Sequence, residues 1–252
     1  VNDARLAENE TVRRLRQKWL SRRLLLNAPH RRNVSRNNAM TQEIAGIKIP
    51  DSALARATTE YIRDEEDDLL FNHSRRVFLW GALTGERKGL KYDAEQLYIG
   101  AMFHDLGLVK KHSSPDLRFE VDGANAARAF AKPFGLSEGD LEQIWLSIAL
   151  HTTPGVPEHL RPNVALVTAG VEMDVLGINY EQFSDQQREV VTHAHPRGDE
   201  FKACILCAFA NGFRDKPDTT FGTVNADVLA DEDPKFKPMN FVEIIRKSPW
   251  KA

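Results

Sequence analysis

The stretch "GAMFHDLGLVKKH", residues 100–112, sets His104 and Asp105 side by side at the end of an apolar run. Burying two titratable groups there without partners would cost several kcal/mol. His73, His151 and Asp174 occupy comparable places elsewhere, each punctuating or ending an apolar stripe. One imidazole on such a face is ordinarily a core histidine satisfied by hydrogen bonds, and one aspartate a backbone cap or an arginine partner. Several converging together have another solution. Clustered neutral imidazoles and carboxylates are donors for a divalent cation, which would offset the burial cost of them all.

The elements that must position these residues read as helices. Helical periodicity runs from Asp51 to about Phe213, with little strand-like alternation. "DSALARATTEYIRD" begins on an Asp/Ser cap. A second helix covers about Asp67 to Gly85, and its Leu69, His73, Val77 and Trp80 form one inward stripe. A third spans Ala94 to Leu106, with Gly107 closing it and Leu97, Ala101, His104 and Leu108 along one face. "GANAARAFAK" is a further helix. In "SEGDLEQIWLSIALH" the stripe Ile144, Ile148 ends on His151, and in "RPNVALVTAGVEMDVLG" the stripe Val164, Val167, Val171 ends on Asp174. "SDQQREVVTHA" carries a capping-box pattern from Ser184 to Gln187. Beyond Arg214 the chain turns polar and proline-punctuated, expected to be mostly loop, before a short final helix in "NFVEIIRKS". The expected fold is all-α: a single helical domain over residues 41–252 whose mostly irregular C-terminal tail packs back on it.

"FNHSRRVFLWG", then "MFHDLG", then "GVEMD" resemble the H…HD…D signature of the HD-domain metal-dependent hydrolase superfamily, over about residues 67–177. Within that superfamily "NHS-R-VF", "HD-G", the "FEVDGA" element and "HPR" near His195 are most similar to the cyanamide hydratase branch. The resemblance implies His73, His104, Asp105 and Asp174 as metal ligands around one divalent ion. Zn, Fe, Mn and Ni all suit such ligands. Bound water would then ionise near pH 7. Asp105, Glu120 and His151 become the catalytic candidates. Ligation, water orientation and substrate hydrogen bonding are all open to His151. Glu120 matches the acid of the related element, although Glu120 and Asp122 also read as the acidic first turn of a helix. Lys110, His112, Arg118, Phe119 and Trp80 are the candidate substrate contacts.

Two chemistries compete for this site. A phosphohydrolase acting on a small phosphoester or nucleotide needs cationic donors, which Lys110, Lys111 and Arg118 could supply. A cyanamide hydratase-like enzyme, adding water to a small nitrile-type substrate, needs a tight closed pocket, for which Trp80, Phe103 and Phe119 are candidates. A third reading is non-catalytic, a metal-stabilised binding domain anchored by its basic head.

Composition narrows the partners. The 252 residues carry 34 Lys and Arg, 36 Asp and Glu and a net charge of −2. Residues 1–40 hold ten Lys or Arg against three acids, so the rest is mildly acidic and no nucleic-acid surface is expected on the main domain. The basic segment reads as an extension, a leader or a disordered arm. No apolar run is long enough for a membrane span, and two cysteines make no disulfide scaffold. A cytoplasmic enzyme with a small-molecule substrate is expected, with homo-oligomer formation left open. Cys204 and Cys207, in an apolar helical pattern, read as small core residues rather than a structural zinc site.

Overall fold

The computed structural model describes residues 42–250; the basic extension 1–40 lies outside them. Strands β1 (Glu43–Ile44) and β2 (Ile47–Lys48) form an antiparallel hairpin that turns Ile44 and Ile47 into the core. Ten helices follow among the described residues. Local chemistry sets their starts: the side chains of Ser52, Asp67 and Asp93 accept the first free N–H groups of α1 (Ala53–Glu65), α2 (Asp68–Arg87) and α3 (Ala94–Phe103). Helix α4 (Phe119–Ala131) precedes α5 (Glu138–Ala149), which Ser137 caps. Pro162 opens α6 (Pro162–Val171), which runs into a π-helical turn at Glu172–Leu176. The Ser184–Gln187 capping box starts α7 (Asp185–Ala194). Helices α8 (Phe201–Phe213), α9 (Asn225–Glu232) and α10 (Phe241–Arg246) complete the chain. The fold is all-α, as expected. No helix among the described residues is long and apolar enough to cross a membrane.

Helix α2 is the axis of the domain. Every residue from His73 to Gly85 is buried, the pattern of a helix surrounded by others rather than lying on a surface. It packs chiefly against α6 and α3. A Cβ on Gly170 would fall 2.2 Å from the Val77 carbonyl oxygen, so only glycine lets α6 approach this closely. That approach carries Asp174, in the π-turn beyond, onto His73 and Arg76. Val77, Phe78 and Leu79 are wholly buried and contribute roughly 1.5–3 kcal/mol each. Such packing offsets the desolvation of the polar groups on the same helix.

Three expectations need correction. Helix α3 stops at Phe103, and Gly107 lies in a 3-10 turn, Leu106–Leu108, without left-handed backbone. Its role is close approach: a Cβ there would sit 2.0 Å from the Phe119 carbonyl oxygen. The loop expected after Arg214 contains α9, whose Leu229 is buried in a second apolar cluster with Leu70, Leu108, Phe119, Phe201, Ile205 and Phe213. Packing on α8, more than any pattern of its own, holds this short helix. Cys204 and Cys207 are exposed rather than core residues, because α8 turns Phe201, Ile205 and Phe213 inward instead.

Candidate metal centre

His73 comes from the second turn of α2, His104 and Asp105 from the end of α3, and His151 from just after α5. All are buried. Each histidine has its Nδ1 fixed. His104 Nδ1 lies 2.7 Å from the Ala101 carbonyl and His151 Nδ1 lies 2.6 Å from that of Ile148. A carbonyl only accepts, so both nitrogens carry the proton and donate. His73 Nδ1 likewise donates to Asp174 Oδ2 at 2.7 Å. In the neutral rings this leaves three Nε2 lone pairs, and all three approach one carboxylate. Asp105 Oδ2 is 3.2 Å from His104 Nε2 and 3.6 Å from His73 Nε2, while Oδ1 is 3.6 Å from His151 Nε2.

These approaches are not hydrogen bonds. Both Asp105 oxygens and His151 Nε2 are buried without a hydrogen-bond partner. Converging acceptors with no donor between them are what a cation would satisfy. Among the described residues, His73, His104 and Asp105 offer donor atoms within 4.8 Å of one another. His73 Nε2 and His104 Nε2 stand 3.1 Å apart. With both Nδ1 atoms already donating, a proton on one ring is needed to join them. Burial disfavours charge on His104, but Asp105 and the Ala101 carbonyl outweigh burial and raise its pKa. Burial keeps His73 lowered despite Asp174. The Asp105 carboxyl, which burial alone would raise, is pulled far below its usual range by His104, His151 and His73.

Asp174 lies on the other side of the His73 ring, outside that three-residue group. Arg76 Nε and Nη2 donate to its two oxygens at 2.8 and 2.9 Å, a bidentate pair. Trp80 Nε1 and Arg197 Nη1 each donate to Oδ1 at 3.0 Å. These donors and His73 overcome desolvation and hold the Asp174 carboxyl far below the ordinary range. A carboxylate so saturated fixes the tautomer and plane of His73.

The remaining candidates divide. Phe119 packs edge-on against His151, with ring centroids 5.6 Å apart. Glu120 is buried and accepts from Arg118 Nη2 at 2.8 Å, Asn225 Nδ2 at 3.0 Å and Thr152 Oγ1. Burial opposes its charge, but Arg118, His151 and Thr152 keep its carboxyl low. Trp80 faces Asp174 and Phe183 instead of an open pocket. Lys110 is almost fully exposed and nearest Asp215, and Lys111 and His112 both pair with Glu65.

Glu66 escaped the sequence reading. It follows α1 as its C-cap and is buried, with Oε1 unpartnered and Oε2 only 3.4 Å from Ser74 Oγ. Desolvation, then the charges of Asp105 and Asp67, push its carboxyl well above the usual range. No spacing marks it, because it lies on the helix before the signature begins. Arg197 was within reach, since it belongs to the "HPR" run.

Residues 70–188 match the family model described as HD domain. Proteins of that family are generally metal-dependent hydrolases, so the match supports an enzyme of that broad kind; it singles out no branch and no substrate. Comparison with curated proteins returned no match.

Proposed function

We propose that this chain is a metal-dependent enzyme that adds water to a small, uncharged electrophile, with a nitrile-type carbon such as that of cyanamide as the model substrate. The observation carrying the reading is the donor set: His73 Nε2, His104 Nε2 and the unpartnered Asp105 carboxylate, all buried. A divalent Zn, Fe, Mn or Ni ion held there would supply hydroxide at neutral pH. Asp174 serves as the fixed partner of His73.

The surroundings favour a neutral substrate over a phosphoester. Arg118 is engaged with Glu120, Arg76 and Arg197 with Asp174, and Lys216 with Asp122. Lys110 stands in solvent, and Lys111 is bound to Glu65. The rings of Phe119 and Phe201 lie beside His151 and His73. Such walls suit a small molecule stripped of water more than a dianion.

Hydration of a nitrile carries both protons of water to the substrate nitrogen, one as the C–O bond forms and the second as the imidic acid becomes the amide, and releases no leaving group. The site therefore needs both an acceptor and a donor. His151 Nε2, with its Nδ1–H pinned to Ile148, is the acceptor. Glu120, held ionised by its donors, orients. Glu66, whose carboxyl burial pushes well above the usual range, is the donor candidate, following the rule that two carboxyls driven apart in pKa take opposite roles.

The test is a parallel assay of protein loaded in turn with Zn, Fe, Mn and Ni, for urea from cyanamide and for phosphate from a panel of nucleotides. Urea without phosphate supports the reading. Phosphate release without urea overturns the substrate class and leaves the metal centre standing.

A further inference from the structure

The matched HD span ends at residue 188, yet the wall beside His151 is built partly from later residues. Lys216 is buried and its Nζ donates to Asp122 Oδ2 at 2.7 Å. Asp122 also accepts from the Ser114 backbone N–H at 3.0 Å. Asn225, the first residue of α9 and itself buried, donates from Nδ2 to Glu120 Oε1 at 3.0 Å. Just before the first of these polar contacts and just after the second, Phe213 and Leu229 join Phe119 and Leu108 in the second apolar cluster. Gly212 faces Leu108 so closely that a Cβ would lie 2.4 Å from Leu108 Cδ2. Leu108 follows the His104–Asp105 doublet by three residues, and Phe119 touches His151. The tail is thus seated against the segment that follows the doublet and against the ring that packs on His151.

A buried lysine is costly unless paired. A tail that merely covered apolar surface would need neither Lys216 nor an amide aimed at a buried glutamate. Glu120 already has Arg118 and Thr152. Arg118 is part-exposed and approaches from the same segment of chain as Glu120. Thr152 comes from the loop after His151 and moves with it. Asn225 is therefore the donor that ties Glu120 to an independent element.

We propose that the tail completes the centre: Asn225 is a positioning residue for Glu120, and the Lys216–Asp122 pair is the latch that seats α9 against it. This rests on the reading that Glu120 and His151 flank the reacting centre. Loss of the Asn225 amide lets Glu120 and the Thr152 loop swing, and His151 loosens with them.

The experiment compares full-length wild type with Asn225→Ala, the isosteric Asn225→Leu and the amide-retaining Asn225→Gln. Two readouts are used. In metal-free protein, nitrogen-correlated NMR follows solvent exchange of the His151 Nδ1–H proton. In metal-loaded protein, kcat and KM for cyanamide are measured. Asn225→Ala and Asn225→Leu are expected to keep metal content, to speed that exchange, and to lower kcat roughly tenfold at little-changed KM, the loss of about one charge-assisted hydrogen bond. Asn225→Gln is expected to recover part of both. Wild-type exchange in both amide-lacking variants would overturn the proposal, as would an equal loss in Asn225→Gln. The exchange readout needs neither metal nor turnover. An inactive wild type with faster exchange in the variants would sink the hydratase reading while upholding the tether.

Discussion

Asp105 Oδ2 lies 3.2 Å from His104 Nε2 without a hydrogen bond between them, deep in the protein. A carboxylate and a ring nitrogen whose other nitrogen is tied to a carbonyl can share such a space only through a cation or a proton. Asp105 and the Ala101 carbonyl outweigh burial and raise the His104 pKa, which favours a proton there when no cation is bound.

Metal and proton therefore compete. The His104 pKa is raised above that of an ordinary imidazole, so metal affinity should fall as pH drops through that raised value, with a proton released on binding below it. Calorimetry of metal binding in buffers of different ionisation enthalpy, at about pH 6 to 8, reads the release directly. Binding that releases no proton at the acid end would contradict the assignment.

Asp174 should act on metal through His73. Asp174→Asn is expected to weaken metal binding by roughly 10–100-fold, the effect of losing an outer partner of a ligating histidine. Competition with a chromophoric chelator measures it. An unchanged affinity would remove Asp174 from the account, and a loss of many further orders of magnitude would make it a direct ligand.

Glu66 should cost the metal-free protein stability at neutral pH. Its folded pKa is raised, so the folded state binds the proton more tightly, and stability is lost as pH climbs above the ordinary glutamate value of 4.5. Glu66→Gln removes that penalty and should stabilise metal-free protein by about 1 kcal/mol near pH 8 and by less near pH 5. Urea unfolding at the two pH values checks this. Equal stability of variant and wild type at both would show that Glu66 carries no burial penalty.

The sequence made legible what repeats with helical period. Stripes ending on His151 and Asp174, and the doublet behind Ala101, are patterns of single helices, and the all-α fold follows from them. What escaped depends on how helices meet. Arg76 lies off the His73 stripe, and no local pattern names its partner. On a helix buried on every side, however, the other faces also point inward, and Arg76 meets Asp174 there. Gly107 read as a helix cap, since nothing local announces the Phe119 carbonyl against it. Lys216 and Asn225 sit in a polar stretch whose partners, Asp122 and Glu120, lie about a hundred residues earlier. Such pairings are set by tertiary packing and leave no periodic trace.

His73, His104 and Asp105 are expected to hold a divalent ion. Elemental analysis of purified wild type beside Asp105→Ala tests it most directly, with circular dichroism confirming that the variant is folded. Close to one equivalent of a transition metal in wild type and little in the folded variant is the expected result. Equal metal content in both, or none in wild type even after reconstitution with Zn, Fe, Mn and Ni, would contradict it.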